Sequence, residues 1–127
     1  MDYKAKFATE GTYVPDGLLA GNAHLLVGRK VTIASGQAGL KRGTVLGKIT
    51  ASGKYAMSAS AASDGSETPD LILAEDCDAA SADKEALAYA RGDFNAGALT
   101  LGAGHTVASI TEGLRAKGIT ILPAMAA

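Results

Sequence analysis

The sequence predicts a β-rich α+β domain, and three observations carry that reading. Two short β-type runs, Val31-Thr32-Ile33 and Val45-Leu46-Gly47-Lys48-Ile49, flank a polar stretch punctuated by Gly36, Gly39 and Gly43. Val31 and Ile33 alternate with Thr32, as a half-buried pleated surface requires. Only one segment, near the C-terminus, carries the marks of a helix. Finally, Leu, Ile, Val and Phe together supply 26 of 127 residues, so the core must be thin.

Each element follows in order. In residues 1–16, charged and aromatic residues alternate through Tyr3, Lys4, Phe7, Glu10 and Tyr13 with no helical stripe, and the stretch ends at Val14-Pro15-Asp16-Gly17. That pattern predicts an extended N-terminal arm closed by a turn, with a single domain over residues 17–127. Residues 18–27 lead into the paired runs, which read as one strand, a turn and a second strand over residues 31–49. Tyr55 opens a short strand followed by an Ala/Ser/Thr-rich loop or hairpin connection containing Asp64-Gly65. Residues 71–75 form a compact buried strand.

Residues 86–94 carry two signals: alternate alanines favour a helix, whereas Leu87, Tyr89 and Arg91 alternate like a strand, and strand is the expectation here. The helix is marked by Ser109 and Glu112 as a capping box, by Val107, Ile110 and Leu114 on one face, and by Gly118 after Arg115 and Lys117 as its stop. Residues 119–122 give a last strand ended by Pro123, and residues 124–127 a frayed tail. No internal period emerges.

A chain of this length supports one domain, burying roughly two thirds of the surface its unfolded form exposes. Much of the 47% hydrophobic content is alanine and there is no tryptophan, so a modestly stable subunit that gains stability by assembly is expected. One cysteine allows no internal disulfide, which points to a reducing cytoplasm. Lys4, Lys6 and Glu10 interrupt any apolar signal core, and no apolar run reaches membrane-spanning length, so the expectation is a soluble chain not secreted by that route. Residues 17–63 hold six bases and no acid, whereas residues 64–85 hold eight acids and one base, Lys84. Such segments either meet head to tail between copies or form two solvated faces of one domain.

The candidate chemistry is sparse. Cys77 stands in Glu75-Asp76-Cys77-Asp78, where neighbouring carboxylates oppose the thiolate a nucleophile needs, so a buried or half-buried spectator is expected. The acidic run lacks the alternating ligands of a calcium loop. His24 and His105 sit in no metal-binding frame, and no Gly-x-Ser-x-Gly elbow supports a hydrolytic serine. Gly43-Thr44-Val45-Leu46-Gly47-Lys48-Ile49 is one residue short of a phosphate loop and has isoleucine where Ser/Thr would hold magnesium; Gly102-Ala103-Gly104 is equally incomplete as a dinucleotide loop. Both read as turns. A pI near 6.1 and basic residues without interleaved aromatics argue against nucleic-acid binding. Lys48 and Lys54 lack the Met-Lys-Met or Asp-Lys-Ala surroundings of a carrier-type barrel. No catalytic residue, metal-ligand set or cofactor is therefore assigned.

A family resemblance supplies what the chemistry does not. Leu40-Lys41-Arg42-Gly43-Thr44-Val45-Leu46-Gly47, then Leu73-Ala74-Glu75-Asp76, Tyr89-Ala90-Arg91-Gly92-Asp93-Phe94-Asn95 and Leu114-Arg115-Ala116-Lys117-Gly118-Ile119 follow in an order that resembles the lambda-type phage head decoration proteins, over residues 18–122. The resemblance implies a small compact β-barrel-like or β-tulip domain, favours the strand at residues 86–94, and implies a structural protein without enzymatic activity. It implies trimers at three-fold positions on the outside of the expanded capsid, stabilising the head against packaged DNA. The partners would be the major capsid protein and further copies of the chain, with no direct contact to nucleic acid or membrane; the location would be the virion, after synthesis in the host bacterial cytoplasm. Ala86, Ala88 and Ala90 depart from the family in replacing larger β-branched residues, and Cys77 replaces an aliphatic one. A phage tail or baseplate β-module is the alternative that shares the composition.

Two site expectations follow. An extended arm can add a strand to an exposed sheet edge, which makes Tyr3, Lys4, Phe7, Thr9, Tyr13 and Val14 the capsid-binding residues, with Tyr3, Phe7 and Tyr13 filling pockets. Lys41 and Arg42 meeting Glu75, Asp76 or Asp78 of a neighbouring subunit would form trimer contacts.

Overall fold

The computed structural model describes residues 17–21 and 26–123. Among the described residues, nine strands and one α-helix follow in order: β1 (Leu19–Gly21), β2 (Val27–Ile33), β3 (Gln37–Leu40), β4 (Val45–Lys48), β5 (Tyr55–Met57), β6 (Pro69–Leu73), β7 (Cys77–Ala79), β8 (Lys84–Asn95), a 3₁₀ turn (Ala96–Ala98), α1 (Val107–Arg115) and β9 (Ile119–Leu122). The β-rich α+β class, the strand at residues 86–94 and the single C-terminal helix agree with the sequence.

Five strands close on themselves. β8 pairs β2, β2 pairs β5, β5 pairs β4, β4 pairs β6, and β6 returns to β8, which forms a small barrel without a free edge of its own. All these pairings are antiparallel except β2 with β5, which meet in parallel at Ile33 and Tyr55 and are tied by the Ala34 N–H to the Tyr55 carbonyl at 2.9 Å. The long β8 runs past the barrel, and its far half carries β1 antiparallel on one side and β9 parallel on the other, both in register at Phe94.

Alternation along the strands divides the apolar residues between two cores. Val31, Ile33, Leu46, Tyr55, Leu71, Leu73, Ala86 and Ala88 fill the barrel interior and pack with Leu40, Cys77 and Ala79 of the ribbon formed by β3 and β7. Leu18, Val45, Ile72, Phe94, Ile119 and Ile121 pack outside the barrel against Ile110 and Leu114 of α1. The unbroken run Leu71-Ile72-Leu73 is thereby explained: β6 is buried on both faces, and each such side chain contributes about 1.5–3 kcal/mol. The alanines that depart from the resemblance have a place too, since Ala86 and Ala88 point into the barrel, where Tyr55 and the leucines already fill the space.

Two local expectations are corrected. The stretch between residues 33 and 45 is not a simple turn: Gln37–Leu40 leaves the barrel to pair with β7, and β2 and β4 are not neighbours. Gly36 turns there at φ +95° and gives its N–H to Ala79 at 2.7 Å. The helix also starts earlier than the Ser109–Glu112 box implies. Thr106 is the cap, its hydroxyl accepts the Ser109 N–H at 3.2 Å, and the Ser109 hydroxyl accepts the Thr106 N–H at 2.9 Å. Glu112 instead pairs with Arg115, and Val107 is left partly exposed while Ile110 and Leu114 are buried. Gly118, at φ +92°, ends the helix as expected.

Candidate functional site

The arm residues Tyr3, Lys4, Phe7, Thr9, Tyr13 and Val14, and His24, lie outside the described residues. The chain enters the described domain at Gly17 and Leu18. Leu18 is buried in the outer core and its carbonyl accepts the Asn95 N–H at 2.8 Å, so the chain is anchored where the described domain begins.

The charged residues expected at subunit contacts gather at one end of the barrel, where the β3–β4 and β6–β7 connections meet. Gly43 and Leu73 join these connections through backbone bonds, Gly43 N–H to the Leu73 carbonyl and Leu73 N–H to the Thr44 carbonyl, both 2.8 Å. Arg42 gives its backbone N–H to Asp76 at 2.8 Å, and its guanidinium donates to the Ala74 carbonyl at 2.9 Å and the Tyr89 hydroxyl at 2.7 Å. Lys41 reaches the other Asp76 oxygen at 3.9 Å. Glu75 accepts the Leu87 N–H at 2.9 Å, and Asp78 accepts the N–H groups of Gly39 and Ala80. Basic and acidic residues thus meet within one subunit.

The same holds for the wider charge pattern. Lys30 pairs Glu85 at 3.8 Å and Lys54 pairs Asp83 at 2.5 Å. The Lys54 ammonium and the Ser35 N–H hold the Asp83 carboxyl below its ordinary range. Asp64 is lowered by the Ser66 hydroxyl and N–H. Asp70 accepts from Lys117 at 3.0 Å and from the Tyr55 hydroxyl at 3.1 Å. Burial, and then the Asp70 charge, raise the Tyr55 phenol above its usual value. The basic and acidic segments of the sequence are therefore stitched together across strands, a pairing that only the barrel closure reveals.

Cys77 is buried, as expected. Its pKa is raised mainly by desolvation, with Glu75 and Asp78 adding to the effect against Lys84. His105 does meet a serine: its Nε2 lies 3.1 Å from Ser58 Oγ and 3.0 Å from the Glu67 carbonyl, and its Nδ1 lies 3.3 Å from Ser109 Oγ. Ser58 is fully buried and no carboxylate among the described residues orients the imidazole, so the geometry is that of a clasp joining the long loop after β5 to the cap of α1. Sequence reasoning had no access to this contact, which spans 47 residues. The glycine motifs also resolve. A Cβ on Gly102 would sit 1.9 Å from the Ser58 carbonyl, and one on Gly47 would sit 2.0 Å from the Ser66 carbonyl. Gly43 is in a turn, but Gly47 lies within β4, which corrects the expectation of a turn there. Both Gly47 and Gly102 permit backbone to lie against backbone.

Among the described residues no group of three or more His, Cys, Asp or Glu side chains could hold a metal ion, and no helix is long and apolar enough to cross a membrane. The described residues thus form a small closed β-barrel covered by α1, with the ion pairs named above engaged in holding the fold. The family follows from comparison. The family model described as bacteriophage lambda head decoration protein D matches residues 7–119, and the chain belongs to that family. Its role is accordingly that of a structural phage protein that binds the capsid of the virion. A search of curated proteins finds no match.

Proposed function

We propose that the protein assembles as trimers at three-fold positions on the outer surface of the expanded phage head and stabilises it against the pressure of packaged DNA. The family match over residues 7–119 is the observation that carries this reading, because it includes most of the arm as well as the barrel. Residues 1–16 act as a capsid-binding arm, adding a strand to an exposed edge of the shell protein through backbone hydrogen bonds, with Tyr3, Phe7 and Tyr13 in pockets and Lys4, Thr9 and Val14 beside them. Residues 17–127 form the decoration domain. Many copies on one lattice reinforce attachment, because each tethered arm raises the effective concentration of its neighbours.

The charged end of the barrel offers the trimer contact. Lys41 is highly exposed and its 3.9 Å pairing with Asp76 is loose, so exchange for a neighbour's Glu75, Asp76 or Asp78 involves little loss. Reversing charge at Lys41 together with Arg42 should weaken self-association about tenfold, measured by analytical ultracentrifugation, and opposite reversal at Asp76 and Asp78 should restore it. Recovery absent in the combined variant would exclude direct contact. The reading as a whole is tested by co-sedimentation with undecorated, expanded heads of the same phage. Saturation near one copy per capsid subunit supports trimers at three-fold sites; absence of binding overturns the assignment.

A further inference from the structure

A cleft of about 320 Å³ opens at the end of β4, lined by Lys48, Thr50, Gly65, Thr68, Asp70 and Lys117. Its charges are unequally engaged. Both Asp70 oxygens are occupied, one by Lys117 and the other by the Tyr55 hydroxyl, and Lys117 also donates to the Pro69 carbonyl at 2.9 Å. The Lys48 ammonium and the hydroxyls of Thr50 and Thr68 have no hydrogen-bond or ion-pair partner among the described residues. Among the lining residues, two lysines against one carboxylate leave a single positive charge beside the hydroxyl-bearing Thr50 and Thr68. A cation finds no free carboxylate on this wall; a monoanion finds an ammonium and hydroxyls able to share its two oxygens.

We infer that this cleft receives the carboxylate of an aspartate or glutamate side chain presented by the capsid protein, an inference that rests on the capsid-binding role proposed above. The open shape suits a side chain delivered by a large surface, since the cleft does not enclose a free small molecule. Its position suits it as well. A Cβ on Gly43 would lie 3.4 Å from Leu18, where the chain enters the domain, and Lys48 stands at the opposite end of β4, roughly 15 Å away at the rise of an extended strand. The point where the chain enters the domain and the cleft therefore lie toward opposite ends of β4, which allows one subunit to bridge two points on the shell.

The test uses the full chain, with Lys48→Glu and Lys48→Arg as variants; Lys48 supports no internal pair, so melting temperatures should match that of the natural protein. In co-sedimentation with expanded heads, Lys48→Glu should bind about tenfold or more weakly and Lys48→Arg close to normally. Binding of Lys48→Glu within about twofold of the natural protein would overturn the inference. If the natural protein itself fails to bind heads, the capsid reading fails, and the cleft is judged alone by NMR titration with a capped glutamate and, separately, inorganic phosphate. Saturable shifts at the Lys48, Thr50, Gly65 and Thr68 amides with capped glutamate, lost in Lys48→Glu, support a carboxylate site. No shifts, or tighter binding of phosphate, overturn it.

Discussion

Gly47 and Gly113 show how differently one residue type can act in this fold. A methyl group on Gly47 would meet the backbone of Ser66, which cannot move without shifting the loop that closes the barrel end, whereas one on Gly113, within α1, would meet nothing within 4 Å. Gly47→Ala should destabilise by about 3 kcal/mol, and Gly113→Ala should stabilise by about 0.5–1 kcal/mol. Urea denaturation of the two variants checks both signs. Acid sensitivity is also decided at this scale. The Asp83 and Asp64 carboxyls have folded pKa values below their unfolded ones, so the stabilisation they give is complete above the unfolded value, near 4, and is lost as pH falls through the folded value. Melting temperature should therefore fall steadily below about pH 4, and Asp83→Asn should flatten that slope while lowering stability at neutral pH.

At the scale of elements, the clasp around His105 governs how α1 is held. The helix carries Ile110 and Leu114 into the outer core, but its first turn is fixed by Thr106, Ser109 and His105 to a loop nearly forty residues away in sequence, through the Glu67 carbonyl. Removing the imidazole strands the buried Ser58 hydroxyl, so His105→Ala should destabilise by about 1–3 kcal/mol, and Thr106→Ala by about 1 kcal/mol. Thermal unfolding followed by circular dichroism measures both, and near-additive losses would show that cap and clasp act independently. The helix itself was legible from Ile110, Leu114 and Gly118, because a 3.6-residue stripe and a glycine stop are local signals. Its starting residue was not. Thr106 and Ser109 bond to each other across the cap, but as a Thr-x-x-Ser pair they lack the Glu or Gln of the usual motif, whereas the Ser109–Glu112 spacing satisfies it on paper. The β3–β7 ribbon was missed for a related reason: Gln37–Leu40 has one buried apolar residue, Leu40, and owes its strand form to a partner far along the chain.

For the whole molecule, the proposed division between arm and domain makes the last prediction. Deleting residues 2–14 should leave the unfolding transition of the domain in place and abolish sedimentation with expanded heads, because Leu18 and β1 still anchor the chain to β8. Retained binding would place attachment on the barrel alone. The class of fold, most strands, the helix near the C-terminus, the burial of Cys77 and the family were legible along the chain. These rest on short-range periodicity, on turn residues and on words kept in order. The closure of β2, β4, β5, β6 and β8 into a barrel, the partition of Leu71, Ile72 and Leu73 between two cores, and the pairing of the basic segment with the acidic one inside a single subunit emerge with folding alone. Each of those depends on which strands become neighbours, and strand pairing brings together residues whose separation along the chain leaves no local trace.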